Sequence, residues 1–247
     1  MAELIDLSQE IFHRRPGTAS QPTATIWENV SHASYTFKHG DISFMSKGLI
    51  ISDHCGTHVD AFNHIDPSPT AESIDQLALE RFYTEAICLD FSGKKPGEFI
   101  RVSDLQEALA QTGLAIQKGD TVLLRYGHLP DGLSSAMPTQ PHEREQVMEA
   151  YLRGFPGLDR AAAVWLVEQG VVNIGCDARS IDNPVTERYD ADPPCPVHTV
   201  CRDFRILNTE NLCIPARLVG RRFRFIGFPL RIKGGSGSPI RAVAVLD

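Results

Sequence analysis

Short apolar runs bounded by glycine, proline and polar residues are the dominant pattern along the chain. Such runs have the length of strands that are covered on both faces, rather than the length of helices. The buried strands that this pattern predicts are Ala86 to Phe91, Thr121 to Arg125 and Val171 to Cys176. Two further strands are predicted near the C-terminal end, at Phe223 to Phe228 and Arg241 to Leu246.

The N-terminal part is also rich in residues that favour strands. The segments Ser31 to Phe37 and Ile42 to Ile51 contain many β-branched and aromatic residues. Gly40 and Asp41 lie between them and have the composition of a turn. We therefore expect two paired strands there.

Three segments have helical patterns. Ser103-Asp-Leu-Gln106 has the spacing of a capping box and predicts a helix that runs to about Gln111 and ends at Gly113. The other predicted helices are His142 to Arg153 and Leu158 to Gln169. Gly127 to Pro141 contains three prolines and predicts a loop.

Strands interspersed with helices indicate an α/β fold with a mixed sheet. The length of 247 residues suits one domain covering residues 1–247. We estimate that two helices pack outside the central sheet.

Composition and charge exclude several classes of function. The net charge of −7 argues against nucleic-acid binding and against docking on anionic lipid. The longest apolar stretch, Ala161 to Val167, is far too short to span a bilayer, and the N-terminus lacks the apolar core of a signal peptide. Six scattered cysteines without such a signal indicate reduced thiols and a cytoplasmic location.

The segment His54-Cys-Gly-Thr-His58-Val-Asp60-Ala-Phe-Asn-His64 holds the most informative chemistry. It places three of the nine histidines and one aspartate within eleven residues. Imidazole and carboxylate are the usual protein ligands of zinc, and manganese and iron accept them as well. The alternative is that these are polar loop residues or histidines hydrogen-bonded in the core, but the clustering favours a metal site.

Regular secondary structure does not bring these ligands together. On an ideal strand, His54 and His58 would share a face but lie about 13 Å apart. We therefore expect the segment to curl at Gly56, which tolerates unusual dihedral angles and leaves room for an ion. Thr57 is expected to hydrogen-bond a ligand histidine or carboxylate.

HCGTHVDAFNH resembles the HxGTHxDxPxH signature of the cyclase family of metal-dependent hydrolases, which includes bacterial kynurenine formamidases and isatin hydrolases. Phe62 stands where that pattern has proline, so a bulkier aromatic side chain reshapes the pocket. Other segments that resemble family elements are Ile5 to Ser8, Gly119 to Arg125, Cys176 to Asp182, Pro196 to His198, Glu210 to Leu212 and Gly234 to Pro239. The resemblance implies a swivelling β/β/α-like architecture.

The resemblance also implies a set of site residues. A first metal would be held by His54, His58 and Asp60. Asp60 would bridge to a second metal held by His198 and Glu210. The metal is manganese in isatin hydrolases and zinc in kynurenine formamidases, so one or two ions of Mn²⁺ or Zn²⁺ are expected. His64 resembles the catalytic general acid/base.

The implied reaction is hydrolysis of a small amide, with His64 moving the proton. The candidates for holding an aromatic ring of the substrate are Trp27, Phe62, Tyr126 and His128, although ordinary core packing also explains them. We favour the opening of an isatin-like cyclic amide. The rival activities are cleavage of N-formylkynurenine, metal or small-molecule binding without catalysis, and polyketide-type ring closure. A homodimer or higher homo-oligomer is expected.

The cysteines suggest one further alternative. Cys195, His198 and Cys201 resemble the ligands of a structural zinc site. Such a site needs a fourth ligand, and Cys213 is the one candidate that we can name. We interpret the cysteines as small packing residues.

Overall fold

The structure is a computed structural model that describes residues 2–18, 21–34, 42–129, 132–187 and 192–246. Its α-helices are α1 (Val102–Thr112), α2 (Pro141–Arg153), α3 (Arg160–Glu168) and α4 (Pro196–Phe204). Its strands are β1 (Glu3–Asp6), β2 (Thr25–Val30), β3 (Ser46–Ile50), β4 (His58–Asp60), β5 (Tyr83–Asp90), β6 (Phe99–Ile100), β7 (Thr121–Arg125), β8 (Gly157–Leu158), β9 (Asn173–Cys176), β10 (Leu207–Glu210), β11 (Arg222–Ile226), β12 (Gly237–Pro239) and β13 (Val243–Leu246). None of the helices in these described ranges is long and apolar enough to cross a membrane.

Nine strands form one mixed sheet in the order β1-β13-β11-β5-β7-β9-β10-β4-β12. The four central strands, β5, β7, β9 and β10, are parallel to one another, and both flanks are antiparallel. Two small sheets accompany it, one of β2 with β3 and one of β6 with β8. The mixed α/β fold expected from the sequence is confirmed.

The central strands are apolar throughout because both faces of the sheet are covered. In β5, Ile87 and Leu89 pack into a core cluster with α1, α3 and α4, whereas Ala86 and Cys88 face the opposite cluster. This explains why the sequence showed continuous apolar runs instead of alternation. The strands predicted at residues 86–91, 121–125 and 171–176 are all present; the bounds of the second are exact, and those of the other two differ by at most three residues.

The sheet curls so that distant strands share one core. Ile5 of β1 and Val59 of β4 belong to the same buried cluster, although their strands stand near opposite ends of the sheet order. The main-chain N–H of Cys213, which follows β10, donates to the carbonyl of Leu7 at 2.8 Å. The curl encloses an apolar interior. Near one end of the sheet order, Asp60 of β4 lies 3.5 Å from His198 of α4.

The helix predictions were correct for α1, α2 and α3, but the estimate of two flanking helices was wrong. The described residues contain four α-helices, and α4 was not predicted. The capping box was also misplaced. Arg101 precedes α1, and its N–H donates to the carboxylate of Asp104 at 2.8 Å, so Ser103 lies inside the helix. Leu158, expected in a helix, lies in β8, and Asp159 caps α3 instead.

The N-terminal strand predictions were partly wrong. Residues 31–34 form a turn, and residues 35–37 and the predicted Gly40-Asp41 turn lie outside the described residues. The strand precedes this turn as β2, and β3 occupies only part of the segment 42–51. The two strands form an antiparallel arm that pairs with no strand of the main sheet. Because both strands are largely exposed, no burial pattern in the sequence marks where they begin.

Candidate metal centre

The register between β4 and β10 brings the first group of polar side chains together. His58 lies directly opposite Glu210, and Asp60 lies directly opposite Asn208. Opposite residues of an antiparallel pair project from the same face, and alternate residues of each strand do so as well. Two carboxylates, an imidazole and a carboxamide therefore converge at one place on the sheet. All four side chains are buried.

The turn that precedes β4 adds His54. As expected, the chain bends at Gly56, whose φ angle of +69° lies in the left-handed region. The missing Cβ of Gly56 faces Ile11 and Arg15, however, so the glycine does not make room for an ion. Thr57 also differs from the expectation. Its hydroxyl donates to the carbonyl of Asn211 at 2.5 Å, and no ligand side chain is among its hydrogen-bond partners.

Helix α4 supplies His198 in its first turn. The fully buried carboxylate of Asp182 accepts hydrogen bonds from the main-chain N–H of Val197 at 2.7 Å and of His198 at 3.2 Å. It also accepts one from Nδ1 of His198 at 2.5 Å. Asp182 thus fixes both the helix start and the ring, so that Nε2 of His198 faces the carboxylates.

The outer nitrogens of the other two imidazoles are fixed as well. Nδ1 of His58 is 2.8 Å from the carbonyl of Gly56, which can only accept, so the proton is on Nδ1 and Nε2 faces inward. Nε2 of His54 is 2.8 Å from the hydroxyl of Ser236, and that hydroxyl donates to Asp53 at 2.8 Å. His54 therefore donates from Nε2 and presents Nδ1 to the centre.

One buried carboxylate oxygen is left without a hydrogen bond. Oδ1 of Asp60 has no hydrogen-bond partner, although Nδ1 of His54 lies 2.8 Å away and Nε2 of His58 lies 3.4 Å away. Two unprotonated ring nitrogens and a bare carboxylate oxygen repel one another unless a cation lies between them. His54, His58 and Asp60 bring ligand atoms within 4.8 Å of one another, so the donor set fits a divalent metal ion.

The electrostatics of the centre also call for positive charge. Burial raises the pKa of Glu210, and the nearby charge of Asp60 raises it further. Burial alone would raise the pKa of Asp60 too, but the surrounding histidines hold it well below its ordinary value. Burial opposes protonation of His58 and His198, yet the carboxylates raise the pKa of both rings. A divalent ion would supply the charge that these protons otherwise provide.

His64 lies beside this group at the end of a short 3-10 helix, Phe62–His64. Its ring centroid is 4.1 Å from that of His54 and 5.9 Å from that of His198, and the residue remains exposed. Desolvation of the ring lowers the pKa of His64 to about 4, the charge of Asp60 opposes this, and the other imidazoles lower it further. The ring is therefore neutral at pH 7 and can accept a proton.

A narrow cleft opens beside His64 and is lined by Asp60, Ala61, Phe62, His64, Ile65, His198, Cys201, Arg202, Ile206 and Asn208. Phe62 is part of this wall, and its side chain is buried. The guanidinium of Arg205 lies 4.6 Å from the ring centroid and that of Arg81 lies 5.3 Å from it. The Phe62 ring therefore already packs against two cations.

The other predicted ring-binding residues do not line this cleft. Trp27 lies on β2 of the arm, with its indole over Gly48. Tyr126 is buried in the core cluster with the helices, and the ring of His128 lies 5.5 Å from that of Phe155.

Sequence reasoning did not single out Asp182, Asn208 or Ser236. The signal for Asn208 was its position two residues before Glu210, which places both side chains on one face of a strand. Asp182 ended a segment that resembled the family, and Ser236 lay in a glycine-rich segment that resembled another. Neither pattern indicated a contact with a particular histidine. No metal-ligand group in the described residues includes a cysteine.

Comparisons with known proteins show which families this chain resembles. The family model described as "Putative cyclase" matches residues 5–183. A kynurenine formamidase from Salinibacter ruber is 26% identical over 250 residues, covering 97% of this chain and 96% of the relative. An isatin hydrolase from Roseibium aggregatum is 25% identical over 207 residues, covering 80% of this chain and 73% of the relative. The structure of isatin hydrolase A from Ralstonia solanacearum, 22% identical, has the same fold, with a TM-score of 0.79 over 100% of this chain and 92% of the other.

Proposed function

The chain belongs to the cyclase family, and from that premise we propose that it hydrolyses the C–N bond of a small amide with a bound divalent metal ion. The observation that carries the proposal is the bare, buried Oδ1 of Asp60 between the inward ring nitrogens of His54 and His58. The ligands suit Mn²⁺ and Zn²⁺ alike, because imidazole and carboxylate serve both.

His64 is the proposed general acid/base. A divalent ion, when bound, lowers the pKa of water and polarises a carbonyl. The neutral ring of His64 takes a proton from water in the cleft as the oxygen attacks the amide carbon. Because desolvation of the ring and the neighbouring imidazoles lower the pKa of His64, its protonated form is a stronger acid than an ordinary imidazolium. It returns the proton to the departing nitrogen.

The proposed substrate is a compact cyclic amide of the isatin type. Phe62, Ile65 and Ile206 give the cleft apolar walls, and these favour a compact, largely apolar molecule over one with a long polar tail. A second candidate is N-formylkynurenine, favoured by the sequence match to a kynurenine formamidase over nearly the whole of both chains.

Purified, metal-loaded protein assayed against isatin and N-formylkynurenine separates these substrates. We expect isatin to be opened with the higher kcat/KM. Turnover of N-formylkynurenine alone would make N-formylkynurenine, and not isatin, the substrate. Hydrolysis of neither amide, with metal bound, would contradict the proposed reaction and favour ring closure or simple binding.

The exposed arm supports a homodimer as a further part of the proposal. Trp27 is 45% exposed and Ile50 is 56% exposed, although both are large apolar residues. They lie on one face of the arm, since Trp27 pairs with Gly48 and Thr25 pairs with Ile50. Contiguous apolar surface on a projecting element is typical of a protein interface. We propose that this face contacts a second copy of the chain.

The substitution Ile50→Glu is expected to raise the dimer dissociation constant at least about tenfold, because burying an unpaired carboxylate costs more than about 1.4 kcal/mol. Light scattering coupled to size-exclusion chromatography measures the change. Leu230→Glu, which also replaces an exposed apolar residue but lies outside the arm, is the matched control and should leave the dimer intact. A wild-type monomer at high concentration would refute the dimer.

We also propose a cytoplasmic location. The buried cysteines support it, since Cys55, Cys88, Cys176 and Cys201 form no disulfide bond in the structure. Unpaired cysteines persist in a reducing compartment.

A further inference from the structure

The side chain of Asn208 occupies an unexpected place in the centre. Its amide nitrogen, Nδ2, lies 2.9 Å from Oδ2 of Asp60 and 2.8 Å from Oε1 of Glu210. It also lies 3.3 Å from Nε2 of His198. These three atoms belong to the residues that the family resemblance implied as ligands of a second metal. The amide nitrogen stands at the point where that ion would be bound.

An ion and this amide cannot share the position. A divalent metal held by Asp60, His198 and Glu210 would sit about 2.0–2.2 Å from each ligand atom. The amide nitrogen is already within 2.8–3.3 Å of all three, so the ion would overlap it. The residues present therefore do not fit a second metal while Asn208 keeps this rotamer.

The hydrogen-bond partners also fix which end of the carboxamide points inward. Nδ2 faces three acceptors, two of them carboxylate oxygens, whereas Oδ1 is buried without a hydrogen-bond partner. Exchanging the two ends would direct a carbonyl oxygen against two carboxylates. The N–H groups of Asn208 thus do for Asp60 and Glu210 part of what a cation would do.

We propose that the chain binds a single divalent ion, through His54, His58 and Asp60, and that Asn208 takes the place of the second. The inference rests on the proposed function, because it refines the metal centre assigned there. Asp60 binds the ion through its Oδ1 atom, and its Oδ2 atom accepts a hydrogen bond from the Asn208 amide. The second N–H of the Asn208 amide donates to Glu210, and Nε2 of His198 lies 3.3 Å from the same nitrogen.

A second ligand group, Asp60, His64 and His198, also brings its atoms within 4.8 Å of one another. It uses the same Asp60, and its His198 nitrogen faces the same amide at 3.3 Å. It therefore competes for the position that Asn208 holds. On this proposal His64 stays unligated and free to carry a proton.

Elemental analysis and calorimetric titration of the metal-free protein with Mn²⁺ and with Zn²⁺ test the inference. We expect one equivalent per chain in the wild type and two in Asn208→Ala, which vacates the position between Asp60, His198 and Glu210. Two equivalents in the wild type would overturn the proposal, and so would one equivalent in Asn208→Ala. No bound metal in either protein would instead defeat the proposed function.

The matched control is Asn173→Ala, because Asn173 is another buried asparagine of the same sheet and lies one strand away, on β9. It should lose similar stability and keep one equivalent. If Asn208→Ala does not fold, a crystal of the wild-type protein soaked in Mn²⁺ answers the question by anomalous scattering. One peak at His54, His58 and Asp60 supports the inference, and a second peak beside Glu210 overturns it.

Discussion

Asp60→Ala is expected to abolish metal binding and amide hydrolysis together. Asp60 is the residue that all of the inward-facing histidines approach, with His54 at 2.8 Å, His58 at 3.4 Å and His198 at 3.5 Å. Without its carboxylate, two neutral imidazoles remain as the proposed ligands of the ion. A metal-activated reaction then loses several kcal/mol of transition-state stabilisation, which corresponds to at least about a 10³-fold fall in kcat/KM.

Metal content by elemental analysis and initial rates with excess Mn²⁺ or Zn²⁺ measure this loss. Asp66→Ala is the control, because Asp66 follows the same segment but lies 3.5 Å from Arg205 and outside the ligand group. It should keep stoichiometric metal and near wild-type rates. An Asp60→Ala protein that melts cooperatively and still holds a full equivalent of metal would show that the ligands are elsewhere.

The part of the centre that could be predicted from the sequence lies within one short segment of the chain. His54, His58, Asp60 and His64 fall within one short segment, so their spacing alone indicated a metal ligand set and a bend at Gly56. The partners that orient them are distant in the chain. Ser236 reaches His54 from 182 residues away, a contact set by the position of β12 beside β4. Only the strand register determines such contacts, and composition does not encode it.

The same distinction explains which elements were found. The central parallel strands were predicted because burial on both faces produces continuous apolar runs. Helix α4 was not, since Pro196-Val-His-Thr-Val-Cys201 is rich in residues with low helix propensity. It is helical because Val197 and Val200 pack into the core and the carboxylate of Asp182 accepts from its first N–H groups. Tertiary contacts outweigh local propensity there, and they place His198 in the centre.

His64→Ala is expected to retain the metal and lose most of the hydrolysis. General acid/base catalysis typically contributes 10²–10⁴-fold, so kcat should fall by about that factor. His64 lies beside the proposed ligands of the single ion and is not one of them, so the metal equivalent should be unchanged. KM should change little, because the apolar walls of the cleft remain in place. Steady-state kinetics with isatin and elemental analysis of the same preparation provide both readouts.

The control is His142→Ala, which removes an exposed histidine on α2 that is far from the centre in sequence. This variant should leave kcat unchanged. A small kcat effect in His64→Ala would remove His64 from its proton-transfer role. Loss of the metal would make His64 a ligand instead, and it would bring the group of Asp60, His64 and His198 into use. A full equivalent of bound metal together with a kcat lowered 10²-fold or more identifies His64 as a proton carrier. Removing a ligand weakens metal binding, whereas removing a proton carrier does not.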